Sequence, residues 1–307
     1  MGLSTQTPES HPYRGRFAPS PTGALHIGSL VTAVGSYLQA RVHGGDWLVR
    51  IEDLDPPREK PGAADRMLRT LEAFGMLWDG EVRYQSRRSE AYEYALDRLR
   101  REGLTYPCAC SRREISERQN AGGGPLIYPG TCRRGLPPGR RPRAWRVLTD
   151  ADPLQFTDRI QGHRVSRLDQ ECGDFVIRRA DGWFAYQLAV VIDDADQGIT
   201  EIVRGCDLLE STPRQIHLQR LLGLATPDYA HLPLVLDEHG HKLSKQDRAA
   251  PVDPRRPGQA LYRALAFLGQ SPPSGLTGAG VEVLWAWALE HWQLRRVPPV
   301  GGRPDQG

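Results

Sequence analysis

The chain has 307 residues, enough for about two domains and a full hydrophobic core, and its 39% of hydrophobic residues excludes wholesale disorder. It has no uncharged apolar run of about 18 residues, the stretch Met1 to Pro12 is polar, and Gln6 breaks a myristoylation pattern. No membrane span, secretory signal or lipid anchor is therefore expected, and a cytoplasmic enzyme or binding protein remains; the net charge of +3 is too slight to name a partner.

Arg14 to Ala18 reads as a short strand entering the turn Pro19-Ser20-Pro21-Thr22-Gly23, whose prolines and glycine stop a strand or helix. A helix fits Gly28 to Arg41, with Leu30, Val31, Val34, Tyr37 and Leu38 on one face, and Gly44-Gly45 ends that region. Trp47 to Ile51 is a strand that delivers Glu52-Asp53-Leu54-Asp55 at its C-terminal end, and helices follow at Ala63–Phe74 and Ser89–Glu102. Alternating strand and helix predicts a parallel α/β sheet. From Cys108 to Arg146, a triple glycine, a Pro-Pro pair and six arginines (133, 134, 140, 141, 143 and 146) suggest an irregular inserted module. The α/β character returns with Phe175–Arg178 and Ala185–Ile192, then a strand at Ile199–Gly205, a helix at Pro213–Leu222 and a strand at Leu232–Leu236. Beyond Pro251 come a helix at Gln259–Leu268, the segment Val283–Trp292, whose Trp285 and Trp287 are expected in the core, and a tail from Val297 expected to fray.

Common catalytic and nucleotide-binding signatures are missing: there is no Walker A loop, no His-Glu-x-x-His, no Gly-x-Ser-x-Gly and no Gly-x-Gly-x-x-Gly. Two other segments stand out. In Arg16-Phe17-Ala18-Pro19-Ser20-Pro21-Thr22-Gly23-Ala24-Leu25-His26-Ile27-Gly28-Ser29, a turn leads into a helix whose first N–H groups suit an anion. His26 can donate to a phosphate oxygen, and Gly28 leaves room for a nucleotide. The second segment is His241-Lys242-Leu243-Ser244-Lys245. Only Lys60, Lys242 and Lys245 are lysines against 37 arginines, yet two of the three sit together. A compact ammonium is not replaced everywhere by a guanidinium, and two of them suit phosphoryl charge that grows in a transition state. A solvated charged loop is the plain alternative.

Five cysteines without a signal argue against a disulfide framework. Three of them, Cys108, Cys110 and Cys132, fall within 25 residues and suggest a metal that wants a fourth ligand, for which composition offers a histidine such as His163. Cys172 and Cys206 read as structural. The arginines at 133–146 are either a solvated loop or a phosphate-contacting surface that does not read sequence.

Taken together, the histidine and lysine segments resemble the HIGH and KMSKS signatures of class I aminoacyl-tRNA synthetases. The string from Arg16 to Gly23, with Arg50-Ile51-Glu52-Asp53 and Val203 to Leu209, resembles the glutamyl branch over about residues 13–250. Only 57 residues follow Ala250, too few for the helical anticodon-binding region of a full glutamyl enzyme. His-Ile-Gly-Ser with Lys-Leu-Ser-Lys-Gln is closer still to the glutamyl-Q tRNA(Asp) synthetases, short paralogues that join glutamate to queuosine in the anticodon of tRNA(Asp). Ser29 departs from the second histidine of the general signature. The resemblance implies a Rossmann-like α/β catalytic domain in two halves, 1–87 and 175–250, around a zinc-carrying insertion at 88–174, with a short helical C-terminal segment at 251–307. It implies that Arg16 pairs with the glutamate side-chain carboxylate, that Ser20, with neighbours Phe17, Ala18 and Pro19, lines the pocket, that Glu52 takes the α-ammonium, and that Tyr186 and Arg204 complete it. His26, Gly28, Ser29 and Lys242 would bind ATP with its Mg2+, Lys245 would stabilise the α-phosphate, and Tyr128 would join Cys108, Cys110 and Cys132 on Zn2+. The expected partners are L-glutamate, ATP and queuosine-bearing tRNA(Asp), met by a monomer. Three alternatives stand beside this: a shortened glutamyl enzyme charging a tRNA 3′ end, a non-catalytic tRNA-binding paralogue, and a nucleotidyltransferase acting on a small molecule.

Overall fold

The computed structural model describes residues 12–119, 126–241, 243 and 250–304. In chain order the elements begin with β1 (Arg14–Phe17), α1 (Ile27–Val42), β2 (Asp46–Ile51), α2 (Ala63–Ala73), β3 (Arg83–Tyr84) and α3 (Ser89–Arg101). There follow β4 (Thr105–Cys108), α4 (Arg112–Gln119), β5 (Ala144–Val147), β6 (Leu154–Asp158), β7 (Gly162–Ser166), α5 (Leu168–Glu171) and β8 (Val176–Arg178). The last group is α6 (Tyr186–Asp196), β9 (Glu201–Gly205), α7 (Thr212–Leu221), β10 (Asp228–Leu232), β11 (Leu234–Leu236), α8 (Pro257–Phe267), α9 (Val281–His291) and β12 (Gly302–Pro304).

The parallel sheet read from the alternation is present. β1 runs parallel to β2, with Arg16 opposite Leu48, and β2 runs parallel to β3. On the other side of β1, the Thr200 N–H donates to the Arg14 carbonyl at 2.9 Å, which sets β9 alongside. β9 continues in parallel to β10, and β10 to β6, which carries the antiparallel hairpin partner β7. Strand C-termini at Phe17, Ile51 and Gly205 thus open on one crevice, the position where open α/β sheets hold ligands.

Three expectations needed correction. The strand at 175–178 forms, but β8 pairs antiparallel with β5, which also pairs with β4, so it completes a small separate sheet rather than the parallel one. The strand expected over Leu232–Leu236 is two strands in two sheets, because Pro233 has no N–H to continue a ladder. The tail does not fray over its described length: Val297 is buried, and Leu234–Leu236 pairs in parallel with Gly302–Pro304.

The main core lies around α1. Trp47 of β2 is fully buried and donates its indole N–H to Ser36 Oγ at 3.0 Å. Tyr37 meets Trp47 edge-on and packs on Trp285 of α9. Trp285 donates to the Phe74 carbonyl at 2.7 Å, and Trp292 to Gln39 Oε1 at 2.9 Å. The C-terminal helices are therefore built into the main core; Trp285 is buried, as read from the sequence, and Trp287 is half-buried. Gly45 closes the turn after α1 because a Cβ there would lie 2.2 Å from the Tyr13 carbonyl oxygen.

Candidate active site

A cavity of about 440 Å3 opens at the strand ends. The β1 end and its turn bring Arg16, Phe17, Ala18, Pro19 and Ser20 to its wall, and the start of α1 brings His26, Gly28 and Ser29. Glu52 enters from the end of β2, Tyr186 from the start of α6 and Arg204 from β9. The segments singled out in the sequence thus meet in one place. Leu243 also lines this cavity, whereas Lys242 and Lys245 lie outside the described residues.

His26 is the N-cap of α1. Its Nδ1 accepts from the Gly28 N–H at 3.1 Å and from the Ser29 N–H at 3.4 Å. The start of the helix is therefore capped by a side chain instead of presenting these two amides openly, as the turn had suggested. An accepting Nδ1 leaves the proton on Nε2 in the neutral ring, and Ser29 Oγ stands 3.2 Å from that nitrogen. Gly28 has a local reason too: a Cβ there would stand 3.1 Å from His26 Cε1. Glycine makes room first for the capping imidazole.

Behind the pocket lies a buried charge cluster that sequence reasoning missed. Arg16 Nε donates to Asp194 Oδ1 at 3.1 Å. Arg50, fully buried, donates to Asp194 Oδ1 at 2.8 Å, to Gln197 Oε1 at 2.7 Å and to Glu52 Oε1 at 3.3 Å. Tyr92 and Gln85 donate to Asp193 Oδ2 at 2.7 and 2.9 Å. Burial works to raise the Asp194 pKa, but Arg16 and Arg50 outweigh it and hold the carboxyl below its ordinary value. For Glu52 burial prevails over Arg50 and Arg16, and its pKa is raised. A fully ionised Glu52 is then best matched when a further cation joins it. The available signal was the pair Asp193-Asp194 at the end of the apolar run Leu188–Ile192, an unusual place for two acids unless they are partnered.

Arg204 is held differently. Its Nε donates to His231 Nε2 at 3.0 Å, Nη2 to Thr212 Oγ1 at 2.8 Å and Nη1 to Tyr186 Oη at 3.3 Å. His231 Nδ1 lies 2.6 Å from Asp158 Oδ2, and both side chains are wholly buried. Burial drives the His231 pKa down to about 4 despite that carboxylate. Neither Asp158 nor His231 was anticipated, since each stands alone in its segment.

A second cluster sits at the small sheet. The sulfurs of Cys108, Cys110 and Cys132 all lie within 4.8 Å of one another, an arrangement that could hold one metal ion. Tyr128 Oη is 3.4 Å from Cys108 Sγ and 3.9 Å from Cys110 Sγ, and it accepts from the Cys132 N–H at 2.9 Å. His163, the composition-based candidate, is on β7 and is not among the metal-ligating side chains grouped with these thiols. Arg146 donates to Cys108 Sγ at 3.2 Å with its guanidinium over the Tyr128 ring. Burial works to raise the Cys108 pKa, but its hydrogen bonds with Tyr128 and Arg146 leave it lowered; burial and the neighbouring thiols push Cys110 up to about 11. The arginine run is divided in use: Arg133 pairs with Asp174 and Arg140 with Glu114, while Arg134, Arg141 and Arg143 are exposed.

Residues 13–274 match the family of class I (E and Q) tRNA synthetases, catalytic domain. A Dechloromonas aromatica protein named glutamyl-Q tRNA(Asp) synthetase is 60% identical over 289 residues, which cover 94% of this chain and 96% of that one. A Geobacter sulfurreducens protein of the same name is 56% identical, with 94% of each chain covered. Among solved structures, a glutamate tRNA ligase from Elizabethkingia meningosepticum, in complex with its amino acid, superposes with a TM-score of 0.80 at 26% identity, over 96% of this chain and 67% of that one.

Proposed function

Since the chain belongs to the class I (E and Q) tRNA synthetase catalytic-domain family, alongside the glutamyl-Q tRNA(Asp) synthetases, we propose that it activates L-glutamate with ATP and transfers it to queuosine in the anticodon of tRNA(Asp). The observation that carries this reading is the composition of the cavity: exposed Arg58 and Asp207 also line it, but its buried or half-buried charged side chains are two guanidiniums, Arg16 and Arg204, and one carboxylate, Glu52. That set is complementary to an amino acid with two carboxylates and one ammonium. The raised pKa of Glu52 fits the same assignment, because a substrate ammonium supplies the cation that the buried carboxylate lacks.

In the first step an oxygen of the glutamate α-carboxylate attacks the α-phosphorus of ATP, the bond to the bridging oxygen breaks, and pyrophosphate leaves. Mg2+ enters as part of the MgATP substrate and neutralises phosphate charge. His26, its Nε2–H directed at Ser29 Oγ, leaves the Ser29 hydroxyl proton to be offered to a phosphate oxygen, Gly28 keeps the approach open, and Lys242 and Lys245 supply ammonium charge. In the second step a hydroxyl of the queuosine ring attacks the carbonyl of the mixed anhydride, and AMP leaves. Neither step needs a protein nucleophile, so positioning and electrostatics suffice.

The cysteine cluster fits zinc. Bonds of about 2.3 Å to sulfur and 2.0 Å to oxygen in a tetrahedron place ligand atoms about 3.5–3.8 Å apart. The observed separations of 3.7 Å between Cys110 and Cys132 Sγ, and of 3.4 and 3.9 Å from Tyr128 Oη to Cys108 and Cys110 Sγ, bracket that spacing. Cys108, Cys110, Tyr128 and Cys132 would hold the ion, which would brace the small sheet. The two-halved catalytic domain around this insertion, action as a monomer and a cytoplasmic location belong to the same proposal.

The test is transfer of labelled glutamate, with MgATP, to two matched tRNA pools, one with queuosine and one without. Label confined to the first pool is expected. Equal label on both would replace this reading with charging of a tRNA 3′ end, and absence of both label and glutamate-dependent pyrophosphate exchange would overturn glutamate activation altogether.

A further inference from the structure

The two buried guanidiniums of the cavity, Arg16 and Arg204, are anchored from behind in unlike ways. Arg16 is met directly by a carboxylate, Asp194, at 3.1 Å. Arg204 forms no ion pair among the described residues; its Nε meets an imidazole nitrogen, and the nearest link in the chain to a carboxylate runs through that ring to Asp158. An arginine Nε–H can only donate, so His231 Nε2 must be bare and its proton must sit on Nδ1. Asp158 Oδ2, 2.6 Å from Nδ1, is the acceptor that enforces this tautomer. Asp158 is itself fixed, since its Oδ1 accepts from the backbone N–H groups of Ile160, Gln161 and His231 at 3.0, 2.8 and 3.2 Å. Thr212 Oγ1 completes the cradle by accepting from Arg204 Nη2 at 2.8 Å.

We propose that Asp158 and His231 are positioning residues for substrate recognition: by locking the His231 tautomer they aim the Arg204 guanidinium into the cavity while leaving its positive charge uncompensated, so that Arg204 is the anchor for a carboxylate of the bound amino acid. The role given to Arg204 rests on the glutamate reading above; the tautomer lock does not. A direct carboxylate partner would hold the guanidinium as firmly but would compete for its charge. A neutral imidazole holds it through one accepting lone pair and leaves the charge for the ligand.

The variant that isolates this is Asp158→Asn. With the amide oxygen in the place of Oδ1, the three backbone donors keep their acceptor. The amide NH2 then faces Nδ1, which must become the acceptor, and the proton moves to Nε2, where it opposes the Arg204 Nε–H. Nitrogen-15 NMR of histidine-labelled protein should show Nδ1–H and bare Nε2 for His231 in the native protein and the reverse in Asp158→Asn. In glutamate-dependent pyrophosphate exchange, the variant should raise KM for glutamate about tenfold or more, with KM for ATP unchanged and a smaller effect on kcat.

Should Asp158→Asn fail to fold, His231→Gln and His231→Leu give the same decision. The glutamine oxygen can replace the acceptor for Arg204, so its KM for glutamate should stay within about threefold of the native value, while leucine should raise it by the larger factor. A native His231 with its proton on Nε2, or glutamine and leucine variants with equal KM for glutamate, would overturn the proposal. A native protein that shows the expected tautomer but no glutamate-dependent exchange would overturn the role of Arg204 together with the glutamate reading, leaving only the lock.

Discussion

At the scale of single residues, the cavity is governed by where charge is compensated and where it is left over. The buried cluster of Arg16, Arg50, Glu52 and Asp194 has lasting value only if every member is partnered, because an unpaired buried charge costs several kcal/mol. The His231–Asp158 pair makes a pH prediction. The folded-state pKa of His231, about 4, lies below the ordinary histidine value of about 6.5, so between these pH values the unfolded chain binds a proton that the folded chain does not. Stability is therefore lost as pH falls through this window, by about 2 kcal/mol between pH 6.5 and 5 from this residue alone. Asp158 acts in the same direction lower down, since its pKa, which burial works to raise, is lowered on balance by the hydrogen bond to His231, and its contribution disappears as pH falls through that lowered value. Urea midpoints measured at pH 6.5 and 5 should fall accordingly, and the drop should be smaller in His231→Gln. Lys245 gives a second expectation. In a chain with so few lysines, an ammonium retained beside Lys242 argues for a task that arginine cannot take over. Lys245→Ala should slow glutamate-dependent pyrophosphate exchange by about 100-fold or more without a shift in melting temperature; an unchanged rate would remove it from the reaction. His26 shows how far a residue can be read from sequence. Its place at the turn before a helix was legible, but its use as the cap of that helix was not, because only the backbone geometry aims Nδ1 at the amides of Gly28 and Ser29.

Among elements, what periodicity and turn chemistry control was legible, and what strand pairing controls was not. The face of α1 that carries Leu30, Val31, Val34 and Leu38 is buried, and the helix runs close to the bounds its pattern implied. In α2, Ala63, Met67 and Leu71 recur at helical spacing and are buried. By contrast, Val176–Arg178 has the apolar character of a strand but nothing local that says which neighbour it joins, and it joins β5. The small sheet rests on a larger core through Val147 and Ile177, but on the cysteine side the apolar cluster is small, with Tyr106, Ile115 and Tyr128 as its largest buried side chains. A flank with so little core depends on a cross-link. Freshly purified protein should contain about one zinc per chain. Cys110→Ser should lose it and should raise amide hydrogen exchange around Cys108 and Cys132, with protection in β1 and β2 unchanged. A metal-free native protein with the same protection would show that the sheet stands without the ion.

For the whole molecule, the C-terminal helices are part of the catalytic unit. Trp285 reaches across to the Phe74 carbonyl, a contact over 211 positions of sequence. Trp285→Ala removes that bond and a buried indole together, and should cost about 3–5 kcal/mol in chemical denaturation. A loss below about 1 kcal/mol would mean that α9 folds back on α1 only loosely. The tryptophans themselves marked this segment as core in the sequence. Their destination was hidden, because long-range packing leaves no local signature. The same holds for the tail, where Gly and Pro argue for fraying and only the partner strand argues against it.

The pairing of β11 with β12 sets the order in which a newborn chain becomes competent. Leu234 and Val235 of β11 line the cavity, and their hydrogen-bonding edge is satisfied by Gly302–Pro304. A ribosome works from the other end, so this wall waits with an open edge while the following helices are made. Until its partner emerges, that edge is free to pair with a neighbouring chain. Crowded polysomes are thus where this fold is most exposed to misassembly, and the cavity can be finished only after synthesis has passed Pro304.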